Sequence, residues 1–183
     1  MFEVEIKAYL DDITSVENRL KNLGATYRKT IQQVDIYFQH PIRNFAKTDE
    51  ALRIRISDNK SYLTYKGPKI DTSSKTREEL EIEIQDHSKL LTLLRKIGFF
   101  PVIEVKKSRK CYLFKDIIIS LDSVKCLGDF IELEIGVADK KSINDVKSRL
   151  LSLLKQLKIP QEKLERRSYL ELLLLPKKQR KSE

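Results

Sequence analysis

"MFEVEIKAYL", residues Met1–Leu10, sets Glu3, Glu5 and Lys7 two residues apart, with Val4 and Ile6 between them. In an extended strand successive side chains point to opposite faces, so this stretch has one charged face and one apolar face. The apolar face calls for a cover. The charged face lines up two like charges and one opposite charge. A solvated surface strand tolerates that; a site gripping a metal–phosphate complex needs it.

The same alternation recurs along the chain. Val34, Ile36 and Phe38 alternate with Gln33, Asp35 and Tyr37, and Leu52, Ile54 and Ile56 with Arg53 and Arg55. Leu63 and Tyr65 alternate with Tyr62, Thr64 and Lys66, and Leu80, Ile82 and Ile84 with Glu79, Glu81 and Glu83. Ile117, Ile119 and Leu121 follow, then Ile131, Leu133 and Ile135 with Glu132 and Glu134 between them. With the opening stretch and a long one from Val102 to Phe114, this predicts about eight strands, and the run near Tyr169–Leu174 is a further short candidate. "SDNKS" (57–61) and "KCLGD" (125–129) predict antiparallel hairpins.

Three segments carry helical spacing instead. Ile13, Val16, Leu20 and Leu23 recur at three- and four-residue steps, with an Asp cap before them and Gly24 as the stop. Leu90, Leu94 and Ile97 repeat the pattern up to Gly98, and Ile143, Val146, Leu150, Leu153 and Leu157 mark a helix ending before Pro160. No linker divides the chain. The reading is one α+β domain over residues 1–174, followed by a basic tail, 175–183, expected to be disordered.

The 183 residues are 40% hydrophobic and 34% charged, with a formal net charge of +9. Lys177, Lys178, Arg180 and Lys181 against Glu183 give the tail +3, which leaves the body +6. A basic body favours an anionic partner: nucleic acid, acidic lipid or a polyphosphate. Cys111 and Cys126, with no signal peptide, point to a reducing compartment and a cytoplasmic protein. Both lack metal-ligand spacing, and His40 and His87 stand alone, which argues against zinc. The longest apolar run, Leu170–Leu175 broken by Glu171, is too short to span a bilayer.

Collected from all strands, the charged face offers Glu3, Glu5, Glu79, Glu81, Glu83, Asp122, Glu132 and Glu134, and the cations Lys7, Arg53, Arg55, Lys66, Arg77 and Arg109. Such a face can simply meet water. Two features tilt the balance. Arginines spaced two apart suit phosphate oxygens, because the guanidinium fork bonds in a bidentate manner. Three Glu-x-Glu pairs hold like charges together, which is unfavourable unless a cation sits among them. Each pair also precedes a helix, a weak internal echo. Hard divalent ions such as Mg²⁺ or Mn²⁺ favour these oxygens. A plain nucleic-acid binder has no need of clustered carboxylates, which would repel phosphate, so nucleic acid is disfavoured.

Glu3-Val-Glu5-Ile-Lys7 resembles the ExExK signature of the CYTH domain, or triphosphate tunnel metalloenzyme, family. The resemblance continues in order through "QQVDIYF" (32–38), "ALRIRI" (51–56), "YLTYKGP" (62–68), "REELEIEI" (77–84), "KKSRKCY" (106–112), "SLDSV" (120–124), "LGDFIELEI" (127–135) and "RRSYLEL" (166–172). The wording is closest to the class IV adenylyl cyclase branch. The resemblance implies an eight-stranded antiparallel β-barrel open at both ends, with helices packed outside and the charged face lining a tunnel. It assigns the metal, Mg²⁺ or Mn²⁺, to Glu3, Glu5, Glu132 and Glu134, with Glu81 (or Glu79 or Glu83) and Asp122 completing the acidic side. Lys7, Arg53, Arg55, Lys66, Lys107 and Arg109 would grip the triphosphate, with Lys7, Arg53 and Arg109 carrying the chemistry. Strict alternation puts Val105 on the face of Lys107 and Arg109, which leaves the choice between Lys106 and Lys107 open. The implied activity is conversion of ATP to cyclic AMP and pyrophosphate, or hydrolysis of tripolyphosphate or thiamine triphosphate. A homodimer is a mild preference.

Overall fold

The alternating stretches become strands. In the computed structural model, which describes residues 2–69 and 77–176, they are β1 (Phe2–Leu10), β2 (Thr26–Gln39), β3 (Ala51–Ser57), β4 (Lys60–Lys69), β5 (Arg77–Ile84), β6 (Phe100–Phe114), β7 (Ile117–Val124) and β8 (Gly128–Val137). Five α-helices accompany them: α1 (Ile13–Asn22), α2 (Phe45–Thr48), α3 (His87–Lys96), α4 (Ile143–Gln156) and α5 (Tyr169–Leu174). The strands form one antiparallel sheet in the order β1-β8-β7-β6-β2-β3-β4-β5. The eight antiparallel strands are thus those expected. Among the described residues the order runs linearly from β1 to β5, and closure into a tunnel is not part of it. No described helix is long and apolar enough to cross a membrane. The expected disorder of the basic tail falls, from Lys177 on, outside the described residues.

Two compact units share these strands, Met1–Ile31 with Lys107–Glu183, and Gln32–Lys106. In the first, the apolar face of the sheet presents Val4, Ile6, Ala8, Tyr112, Ile119, Leu121, Ile131, Leu133 and Ile135 to one core. Val16 and Leu20 of α1 and Val146, Leu150, Leu153 and Leu154 of α4 close over it. Burying each such side chain contributes about 1.5–3 kcal/mol, so this packing, more than helix propensity, holds the two helices down. Asp12 caps α1 by accepting from the Ser15 amide at 3.1 Å. The helix stops at Gly24, whose φ of +85° lets the Ala25 amide turn back to the Leu20 carbonyl at 2.9 Å.

A polar clamp adds to the packing. Glu17 of α1 accepts from Lys110 Nζ at 2.6 Å and from the Tyr112 hydroxyl at 2.7 Å, both on β6. Those two bonds pull its carboxyl pKa down to about 2.

In the second unit, Phe38, Ile54 and Leu94 form the buried centre, with Ile36, Leu52, Leu63, Ile84 and Leu90 packed around them. Here α3 covers the sheet, capped by Asp86, whose carboxylate accepts from the Lys89 amide at 2.9 Å.

One expectation needs correction, and one short helix goes beyond the reading. The run Tyr169–Leu174 is not a strand but helix α5. A short apolar run reads either way, and Ser168 decides it: its side chain accepts from the Glu171 amide while Glu171 accepts from the Ser168 amide, a capping box that starts a helix. The four-residue α2 has no periodic stretch to announce it. Its signal is local, the Asn44 side chain accepting from the Lys47 amide at 3.2 Å.

Replacing fully buried Leu150 by alanine leaves a cavity under α4. We expect Leu150→Ala to lower stability by about 2–5 kcal/mol, read as a fall in the urea midpoint at unchanged slope. Glu17→Gln tests the clamp through pH. A carboxyl whose folded pKa is depressed stabilises above its unfolded pKa and loses that contribution as pH falls through the folded value. The parent should therefore exceed Glu17→Gln by about 1–2 kcal/mol near pH 7, and the gap should close between its ordinary pKa of 4.5 and about 2. Equal acid limbs for the two proteins would remove the clamp.

Candidate functional site

Strand register arranges the charged face of the first unit into rungs. Glu5 on β1 stands opposite Glu134 on β8, and Lys7 stands opposite Glu132. Glu132 in turn faces Ser120 on β7, and the next rung runs Tyr9, Phe130, Asp122 and Arg109. Direct opposition puts side chains on one face within about 5.5 Å at Cβ, so Glu5 and Glu134 are like charges at close quarters.

Asp122 is the fixed point. It is 0% exposed, and its two oxygens take four donors. Arg109 forks onto it through Nε at 2.7 Å and Nη2 at 2.5 Å, Lys107 Nζ donates at 3.2 Å, and the Tyr169 hydroxyl donates at 2.9 Å. Arg109 also donates to Glu132. Burial works against its charge, but the Glu132 and Asp122 carboxylates outweigh this and raise its pKa well above the ordinary value. Lys107, not Lys106, joins this group: Lys106 is exposed and pairs with Glu104 at 2.9 Å. β6 carries no register shift from Lys107 to Phe114, so Lys107 reaches Asp122 by plain alternation, with buried Val105 on the same side.

Lys7 is 3% exposed although it carries a full charge. Its ammonium donates to the Arg167 carbonyl and lies 4.3 Å from the Tyr169 ring centroid and 5.8 Å from that of Phe130. Arg167 and Tyr169 come from the chain that follows α4. Leu164 bridges to Ala8, and the Glu165 amide donates to the Lys7 carbonyl at 2.8 Å, so this segment lies along the edge of β1. Glu165 accepts from the Arg167 amide, Nε and Nη2, which locks the segment on itself.

In the second unit the polar face is built the same way. Asp35 on β2, opposite Arg55 on β3, accepts from Arg55 Nε at 2.6 Å and Nη2 at 2.7 Å and from Arg53 Nη1 at 3.5 Å. Arg53 is 8% exposed, and its Nε is a buried donor without a hydrogen-bond partner. Burial opposes its charge, yet Tyr37 and Asp35 raise its pKa. Glu79, Glu81 and Glu83 share one exposed face of β5: Glu79 pairs with Lys66 at 2.5 Å, Glu81 accepts from Thr64 at 2.8 Å, and Glu83 pairs with Lys60 at 3.2 Å.

The expected metal ligands divide accordingly. Glu3's side chain lies outside the described residues, as does that of Arg77. Glu5, Glu132 and Glu134 are half-buried neighbours, and Asp122 is already filled by donors. Among the described residues no three carboxylate, imidazole or thiolate groups converge to enclose an ion. Magnesium is commonly held by one or two carboxylates plus substrate phosphates, and the opposed Glu5 and Glu134 supply an all-oxygen pair of that kind. The residues fit an ion that arrives with a phosphate chain.

Sequence reasoning missed Asp35, Tyr169, Glu165 and Arg167. The period-two rule does place Asp35 on the face of Tyr37, so the signal was present. Tyr169 had no such signal, because its role depends on a helix start that brings it to Asp122. Phe130 is packed between Tyr9 at 4.5 Å and Tyr169 at 5.0 Å.

Comparison with known proteins agrees with this architecture. The family model for the CYTH domain matches residues 1–169. A "putative adenylate cyclase" of Methanocaldococcus jannaschii is 45% identical over 172 residues, which span 94% of this chain and 98% of that protein. An adenylate cyclase of Aeromonas hydrophila, CyaB, is 29% identical over 171 residues, 92% of this chain and 86% of that one. A solved structure from Pyrococcus horikoshii superposes with a TM-score of 0.85 at 46% identity, covering 94% of this chain and 98% of its own. This chain belongs to the CYTH domain family.

Proposed function

We propose that this protein is a divalent-metal-dependent enzyme of triphosphate compounds, and that its reaction is adenylyl cyclisation, ATP to cyclic AMP and pyrophosphate. One observation carries the reading. Glu5 and Glu134 face each other one rung from the Lys7–Glu132 pair, so clustered carboxylates, which suit a divalent cation, adjoin the buried Lys7 ammonium and, through Glu132, the Arg109 guanidinium, which suit an anion. A metal-bound polyphosphate answers both demands.

Glu5, Glu132 and Glu134 would hold Mg²⁺ or Mn²⁺, with Glu3 and Glu81 as the remaining acidic candidates. Asp122, whose oxygens are engaged, orients Arg109 and Lys107 instead. The ion would supply charge neutralisation at the phosphate oxygens. Lys7, Lys107 and Arg109 bind phosphoryl oxygens, and Arg53, Arg55 and Lys66 form a second cationic set, with Arg53 Nε an open donor. In the cyclisation the 3′-hydroxyl oxygen bonds to the α-phosphorus, the bond to the β-phosphate oxygen breaks, pyrophosphate leaves and the hydroxyl proton is lost. The Arg109 guanidinium, pinned by Asp122, needs no reorganisation as charge moves to the leaving oxygens. Cys111 and Cys126, both free thiols, fit a cytoplasmic setting.

A second reading, hydrolysis of tripolyphosphate or thiamine triphosphate, has one observation in its favour. Of the aromatics that could have stacked on a base, Tyr37 and Phe130 are buried, while Tyr62 and Tyr65 are half-buried. The same cations would serve either reaction; the difference lies in which phosphorus stands in line with a nucleophile.

Product analysis with ATP, tripolyphosphate and thiamine triphosphate separates the readings. Cyclic AMP with pyrophosphate supports cyclisation, and orthophosphate supports hydrolysis. RNA binding with steep salt dependence and no turnover of any triphosphate would replace both with a binder. Glu5→Gln should raise the Mg²⁺ or Mn²⁺ concentration for half-maximal turnover about tenfold, with an unchanged melting curve; an identical metal titration would remove Glu5 from the ion. Arg53→Ala should cut kcat/KM by about 10–100-fold, the worth of one or two charged hydrogen bonds. Unaltered kinetics would take Arg53 out of the site.

A further inference from the structure

Tyr169 is 7% exposed and makes three contacts with the charged groups of the first unit. Its hydroxyl donates to Asp122 Oδ2 at 2.9 Å, the oxygen that also accepts from Lys107 Nζ and Arg109 Nη2. Its ring centroid lies 4.3 Å from Lys7 Nζ and 5.0 Å from Lys107 Nζ. A phenol thus touches three of the groups that the cationic set is built from. We propose that Tyr169 is a positioning residue for the phosphate-binding cations: its ring places Lys7 and Lys107, and its hydroxyl fixes the Asp122 carboxylate from which Lys107 and Arg109 are hung. This rests on the functional reading above.

The chemistry of each contact suits that role. An aromatic face attracts an ammonium through its quadrupole and adds no countercharge, so it can hold a lysine in place. A carbonyl acts the same way, and the Arg167 carbonyl is the other acceptor for Lys7. The phenol proton is secure. Burial first, then the Glu132 and Asp122 carboxylates, raise the Tyr169 pKa well above its usual value, so the hydroxyl remains a donor. As a donor it takes one lone pair of Asp122 and adds no charge. The placement of Tyr169 is also determined in advance. It is the first residue of α5, directly after the Ser168 cap, and the preceding segment is tied to β1 by the Glu165 amide and the Leu164–Ala8 bridge. A helix start therefore delivers the ring, with no long flexible arm between it and the sheet.

Two substitutions divide the contacts. Tyr169→Phe keeps the ring and removes the hydroxyl; Tyr169→Leu removes both. Calorimetric titration with tripolyphosphate in the absence of metal, steady-state turnover with Mn²⁺, and ¹³C-labelled lysine NMR read the outcome. Ring currents move the ε-methylene signals of Lys7 and Lys107 in the parent. We expect Tyr169→Phe to keep those signals, bind tripolyphosphate within about threefold of the parent and lose about tenfold in kcat, because the Asp122 hub is loosened. Tyr169→Leu should lose the ring-shifted signals and bind tripolyphosphate about tenfold more weakly. If Tyr169→Leu leaves the lysine signals and the tripolyphosphate affinity at their parent values, the proposal is overturned. Should that variant fail to fold, Tyr169→Phe decides alone, and parent-like kcat in it sinks the hydroxyl's role. Absence of triphosphate binding and turnover in the parent would defeat the functional reading instead, while the lysine signals still report whether Tyr169 sets the side chains.

Discussion

Most strands here bury aliphatics on one face, and the pleat then delivers most of their charge to the other. That constraint decides the rest. Charges on a buried face have to be paired, and the chain uses one device twice. In each unit a single aspartate, Asp122 or Asp35, is almost wholly buried and shared by two cations spaced two residues apart on the neighbouring strand. Each aspartate stands directly opposite the arginine that forks onto it, Arg109 or Arg55, and the second cation, Lys107 or Arg53, reaches the same carboxylate from the next outward-alternating position. At the first hub Arg109 also donates to Glu132, so two carboxylates and two cations share it; at the second, Arg53 keeps a buried Nε with no hydrogen-bond partner.

Stability alone does not account for this. A buried ion pair regains little beyond its desolvation penalty, and an apolar group of equal volume is often as good or better. Glu5 facing Glu134 adds a rung of two like charges. Arrangements that sacrifice folding free energy are best understood through what they bind: the cationic hubs suit phosphoryl oxygens, and the acidic rung suits the ion that such oxygens carry.

Which side chains share a face was legible from period two alone, and so were the covering helices α1, α3 and α4, each announced by its stripe and its cap or stop. The partners across strands were not. That Asp122 meets Arg109, or Asp35 meets Arg55, depends on register, which hairpin lengths set and local sequence does not print. Lys107 against Lys106 had the same difficulty until continuous pairing of β6 with β7 fixed the parity. Tyr169–Leu174 failed for a different reason. Six residues are too few to show a period, and the deciding information lay one residue upstream, in the Ser168–Glu171 capping box. The roles of Glu165 and Arg167 arise from a segment laid along β1 after more than 150 residues of chain, a contact that no local pattern contains.

The way the cations are held also bears on what kind of partner they serve. A protein that merely adheres to a polyanion gains most from long, mobile lysines at the surface, since counterion release counts phosphates and not their orientation. Here the guanidinium groups of Arg109 and Arg55 are forked onto buried carboxylates, and Lys7 is fixed by a carbonyl and an aromatic face. Such donors cannot follow a disordered ligand. They present a fixed pattern of positive charge that is already in place before phosphoryl oxygens gain negative charge, and that pre-arrangement lowers a barrier where general attraction only concentrates a ligand. Cations held this rigidly are what the proposed reaction at phosphorus would use.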